Sequence, residues 1–204
     1  MRHALLRAAF ALLLGWHAAA AATLFSFQTD PFAGSNALTT PGRQIVGGED
    51  FVTFNVATDV FAFNPAVFGI GQLSFFNGLV EDLPAGGVNV IVLQTQPIPF
   101  AAGIAANLIA AEITTPGPGF FIYFNSGLDL PRLVYSTDLN DNTADLRVLA
   151  RLTNLSGQAG RDALPTFTAA NFALIEEPSP LVLLAAALVA GLPVALRRRR
   201  RARG

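Results

Sequence analysis

Residues 119–138 read GFFIYFNSGLDLPRLVYSTD, and this stretch decides the fold class. Two runs rich in aromatic and β-branched residues, 119–125 and 130–138, flank Ser126 and Gly127. That pattern predicts a β-hairpin with a loop longer than the two-residue minimum. Downstream, DLRVLARLT (145–153) alternates Leu146, Val148, Ala150 and Leu152 against Arg147 and Arg151, the mark of a strand with one wet face. Upstream, GVNVIVLQ (87–94) is apolar without interruption and reads as a buried strand. In DFVTFNVATDVFAF (50–63), Val52, Phe54 and Val56 share a face, and Asn64-Pro65 ends the run. TFTAANFALI (166–175) predicts a last strand, whereas 23–43 is dense in turn formers and reads as loop. One segment departs from β patterning. AAGIAANLIAAEI (101–113) predicts a helix of about three turns, with Ile104, Leu108 and Ala111 at helical spacing. The expectation is a mainly β protein: one antiparallel, β-sandwich-like domain over 23–175 with one packed helix. Sixteen of the 17 phenylalanines fall in that domain, enough for a core without disulfides.

The chain has no cysteine and no lysine, and both histidines, His3 and His17, precede residue 23. Residues 23–175 therefore contain no imidazole, thiol or amine side chain. Ser-His-Asp and Cys-His nucleophiles, Schiff-base lysines and His/Cys zinc sites are excluded there. Formal charge is equally uneven. The whole chain carries −1, yet residues 23–177 hold five arginines against all 14 acids, a charge of −9. A domain so acidic repels a phosphate backbone, so no nucleic-acid partner is expected.

Both ends read as addresses. In MRHALLRAAFALLLGWHAAAAA (1–22), Arg2 and Arg7 precede a short apolar stretch, and Ala20 and Ala22 meet the small-residue rule for cleavage before Thr23. This is the pattern of a secretory signal peptide. At the other end, LVLLAAALVAGLPVAL (181–196) is uncharged over sixteen residues, about 24 Å as a helix, against a hydrocarbon core of roughly 30 Å. Arg197, Arg198, Arg199, Arg200 and Arg201 follow directly. Buried arginines are costly in a protein core, whereas snorkelling arginines lengthen a short membrane helix. The expectation is a C-terminal transmembrane helix over 181–196 with a cytoplasmic basic tail, 197–204, and the domain outside the cytoplasm.

An acid-proline pair, a short apolar helix and a terminal arginine cluster, in that order and behind a signal peptide, resemble the PEP-CTERM sorting signal of Gram-negative bacteria. The resemblance covers residues 176–204. It implies that Glu177 and Pro178 occupy the second and third motif positions, with Glu176 standing where the family has proline. It further implies an exosortase-type membrane protease as partner, transient anchoring in the inner membrane, and then a cell-surface or extracellular location. The family association points to a non-enzymatic role in exopolysaccharide or biofilm structure. A sortase signal fits less well, because Leu164-Pro165-Thr166 is followed by Phe167. A GPI signal ends apolar, not charged.

Within the domain the strongest polar cluster is Asp138, Asn140, Asn142 and Asp145, with Asp141 among them. Alternating Asp and Asn in a short loop is a calcium-ligand pattern. However, Thr143 and Leu149 stand where an EF-hand requires Gly and Glu, and an Asx-turn loop uses the same residues to cap its own backbone. Calcium is the single cofactor the sequence suggests. Glu49-Asp50 and Glu81-Asp82 are adjacent acids that read as solvated turns. Arg147 and Arg151 are available to pair with acids or acidic sugars. Three function classes remain: a matrix or adhesive protein, a carbohydrate-binding module with or without calcium, and a hydrolase built on two carboxylates.

Overall fold

The computed structural model describes residues 21–95 and 101–175; the signal-type start and the sorting-type tail lie outside the described residues. Among the described residues there are ten strands: β1 (Leu24–Phe27), β2 (Ile45–Val46), β3 (Asp50–Val52), β4 (Val60–Phe63), β5 (Phe75–Gly78), β6 (Val90–Leu93), β7 (Gly119–Asn125), β8 (Leu130–Ser136), β9 (Leu146–Leu152) and β10 (Phe172–Leu174). Three helices accompany them: α1 (Pro65–Phe68), α2 (Ala102–Glu112) and α3 (Gly157–Ala163).

The hairpin forms where the sequence puts it. Strands β7 and β8 pair antiparallel, Tyr123 opposite Arg132. Asn125 Oδ1 accepts from the backbone N–H groups of Gly127 and Leu128, at 3.1 and 2.8 Å, which closes the loop. Strand β9 adds to β8, also antiparallel. Every other pairing is parallel, and here the antiparallel expectation is corrected. The seven-stranded sheet runs β2-β9-β8-β7-β6-β5, with β3 on the same edge of β9 as β2, and a second sheet runs β1-β4-β10. Strands β5, β6 and β7 are parallel neighbours, and all three strands of the smaller sheet are parallel. The uninterrupted apolar run of β6 carries the physical reason. Its four residues are all buried because both faces of the sheet are covered, the usual condition of a parallel strand. Helix α2 connects β6 to β7, as a parallel pair requires.

Two apolar layers result. Between the sheets, Phe61 and Phe63 of β4 meet Val90, Val92, Phe120 and Ile122 of the larger sheet. On that sheet's other face, Ile91, Phe121, Val134 and Val148 pack against α2. The helix approaches through Ala102, Ala105, Ala106 and Ile109, not through the expected Ile104, Leu108 and Ala111; Ile104 is exposed. Three alanines on the inner face let the helix axis sit close to the sheet, with Ile109 the one large side chain buried beside them.

Segment 23–43, read as loop, contains β1, which pairs in parallel with β4 from Leu24↔Val60 to Phe27↔Phe63. The expected strand over 50–63 is two strands, β3 and β4, assigned to different sheets. Its expected shared face survives the break, since Val52 and Phe54 are buried in the inter-sheet core with Val56 packed against it.

Candidate functional site

Strand β9 has a bulge that decides where its arginines go. Leu133 pairs with Ala150 and Val134 with Val148, so Leu149 is left without a partner on β8. Such an extra residue reverses the alternation beyond it. Leu146 and Val148 accordingly face α2, whereas Leu149, Ala150 and Leu152 join the inter-sheet core. Arg147 and Arg151, expected on one wet face, therefore lie on opposite faces. On the outer edge of β9 the interruption Gly47–Glu49 separates β2 from β3 alongside the bulge.

That interruption carries Glu49 into the sheet. Glu49 Oε1 accepts from Arg132 Nη2 at 2.7 Å and from Arg151 Nε at 2.5 Å, and its side chain is only 6 % exposed. Burial pushes the Glu49 carboxyl upward, but its own backbone N–H and the Arg151 and Arg132 guanidiniums outweigh that and hold it at about 2. Glu49 was expected on a solvated turn; it is the buried counter-ion of two arginines.

These residues belong to a ladder across four strands. Tyr123 of β7 stands opposite Arg132 of β8, Arg132 opposite Arg151 of β9, and Arg151 opposite Phe51 of β3. Exposure rises along it, from a fully buried Tyr123 to a Phe51 that is 70 % exposed. The Arg151 guanidinium carbon lies 5.1 Å from the centre of the Phe51 ring, within cation–π range. Arg132 Nη1 approaches the Tyr123 hydroxyl at 3.5 Å, and its Nε is buried with no hydrogen-bond acceptor among the described residues. Sequence reasoning singled out Arg151 but not its neighbours. The hairpin register was the available signal, since it sets Tyr123 beside Arg132.

The Asp138–Asp145 loop is closed by its own backbone and by two distant segments. Asp138 Oδ1 accepts from the N–H of Gly117 and of Asn140, at 3.0 and 2.9 Å. Asp145 is buried, with Oδ1 accepting from Gln44 N and Oδ2 from Leu38 N, both at 2.6 Å. Asn140 Nδ2 donates to the Ile113 carbonyl, and Asp141 Oδ1 accepts from Thr143 N and Oγ1. Those bonds come first in holding the Asp141 carboxyl below its ordinary range. The two outer carboxylates thus serve different neighbours, and Asn142 is exposed. Among the described residues no group of three or more His, Cys, Asp or Glu is placed to hold a metal ion.

Three clefts bear on ligands. The loops preceding β5, β6 and β7 enclose about 430 Å³ lined by Gln72, Ser74, Asn89, Thr115 and several glycines, with no charged side chain. A groove of about 420 Å³ runs between Asn107 on α2 and the 140–142 turn. Asp30 and Asp50 both line a third space, of about 150 Å³, together with Arg147. That volume is small beside the roughly 300–1,000 Å³ of typical ligand pockets. Glu81 and Asp82 are exposed on a 3₁₀ turn, as expected.

With this geometry in place, comparison with known proteins gives no counterpart: no protein-family model, no curated protein and no solved structure matches the chain.

Proposed function

We propose that this is an exported surface or extracellular-matrix protein of a Gram-negative bacterium, sorted by an exosortase-type system. Its part is structural or adhesive, in exopolysaccharide or biofilm, rather than catalytic. The observation that carries the reading is the order Glu177-Pro178, an uncharged run over 181–196, then Arg197 to Arg201, behind a signal-type start. Strand β10 ends at Leu174, so the motif adjoins the fold with almost no spacer. A cysteine-free domain suits export, because its core of buried phenylalanines needs no oxidising catalyst. The PEP-CTERM-type tail anchors the protein in the inner membrane until the protease cuts near Glu177 and Pro178. The product then reaches the surface or the medium.

Following an internally epitope-tagged full chain in cells with and without the exosortase tests this. The wild-type strain is expected to show a shorter product outside the inner membrane, and the mutant strain the longer form retained there. Identical size and location in both strains overturns the sorting reading. A carbohydrate-binding module is the second reading, favoured by one observation: an exposed phenylalanine beside a half-exposed arginine on a sheet edge.

A further inference from the structure

We infer that the Phe51–Arg151 end of the cross-strand ladder is a binding platform for a carboxylated polysaccharide, a polymer of uronic acid residues. The inference rests on the matrix reading above and names the ligand class that reading leaves open.

Four observations support it. First, Arg151 spends only Nε on Glu49; its two terminal nitrogens donate to no acceptor among the described residues, and its side chain is 29 % exposed. Two parallel N–H donors in one plane match the two oxygens of a carboxylate. Second, Glu49 is a single negative charge held between two guanidiniums, so the cluster keeps a net positive charge within a domain that is otherwise acidic. That spare positive charge attracts a carboxylate presented at this edge. Third, Phe51 is the most exposed large apolar side chain among the described residues and stands on an edge strand. Its ring offers an apolar face to the C–H face of a pyranose, while Arg151 reaches the C5 carboxylate of the same ring. Fourth, Asp50 does not oppose this, because strand alternation turns it to the other face, where it lines the space containing Arg147.

Glu49 is then a positioning residue. It fixes Arg151 through Nε and so aims the two terminal nitrogens outward. Arg132 completes the clamp from the buried side and keeps the Glu49 carboxylate ionised.

The test uses the full chain in detergent with polygalacturonate, its methyl-esterified form, a neutral glucan and a single-stranded DNA. Esterification removes the carboxylate charge and leaves the sugar backbone. Polygalacturonate is expected to bind, with affinity falling as salt rises, and the ester, glucan and DNA to bind at least tenfold more weakly. Phe51→Ala and Arg151→Gln should each weaken polygalacturonate binding by about tenfold. Arg161→Gln, at the exposed pair with Asp129, should leave it unchanged. Phe51 is exposed, so Phe51→Ala keeps the unfolding midpoint and separates lost binding from lost folding. Equal binding of acid and ester, equal binding of DNA, or unaffected Phe51→Ala and Arg151→Gln proteins would overturn the platform. If no glycan binds while the tagged chain is still processed by the exosortase, the ligand class fails and the sorting reading stands.

Discussion

Phe63 of β4 and Phe120 of β7 stack with ring centres 3.7 Å apart and planes 17° from parallel, joining the smaller sheet to the larger. Phe68 meets the Phe120 ring edge-on at 5.2 Å, and both Phe63 and Phe120 are fully buried. Truncating either ring removes a large apolar area and leaves a cavity between two sheets that cannot collapse independently. Phe63→Ala is expected to cost about 3–5 kcal/mol, read from the urea unfolding midpoint at unchanged slope. The exposed control Leu38→Ala should shift it by less than about 0.5 kcal/mol.

Glu49 predicts an acid-sensitive component of stability. Its folded pKa, about 2, is below its ordinary value of 4.5. A depressed carboxyl contributes stability that is fully present above the unfolded value and is lost as pH falls towards the folded one. The unfolding midpoint should therefore fall between about pH 4.5 and pH 2. In Glu49→Gln that part of the fall should disappear, while the midpoint at pH 7 drops. Parallel pH profiles for the two proteins would remove Glu49 as the source.

Asp145 holds the long segment before β2 by accepting from Leu38 N and Gln44 N, contacts that span 107 and 101 residues. Asp145→Ala strands two backbone donors and is expected to cost about 2–3 kcal/mol. Limited proteolysis should then cut within residues 30–43 before any other site. Because both oxygens of Asp145 are already engaged, millimolar calcium or a chelator should move the wild-type melting temperature by less than about 1 °C.

Gly160 packs α3 onto the hairpin. A Cβ there would collide with the Leu155 carbonyl oxygen and lie 2.9 Å from the buried Phe124 ring, over which the Arg161 guanidinium sits 4.1 Å from the ring centre. Gly160→Ala should destabilise by about 1–3 kcal/mol despite alanine's higher helix propensity. Scanning calorimetry of that variant beside Gln158→Ala, on the open side of the helix, separates packing from propensity.

Much of the composition was legible directly: which side-chain types residues 23–175 lack, where charge is segregated, and that the core is rich in phenylalanine. Strands β6, β7, β8 and β9 and the helix α2 were legible too, because periodicity is a local property. Strand β1 was missed because LFSF gains its stability from β4, thirty-six residues away, not from any pattern of its own.

Parallel pairing escaped for the same reason. A four-residue apolar run specifies burial on both faces but not the direction of its neighbours, and only packing against α2 and the second sheet chooses it. The fate of the two β9 arginines turned on one unpaired residue, Leu149. No alternation pattern marks a bulge when the bulged residue is itself apolar, so sequence placed Arg147 and Arg151 together and the tertiary structure parted them. Local residue chemistry thus determined which side chains this protein has to work with; long-range pairing decided which charged groups meet.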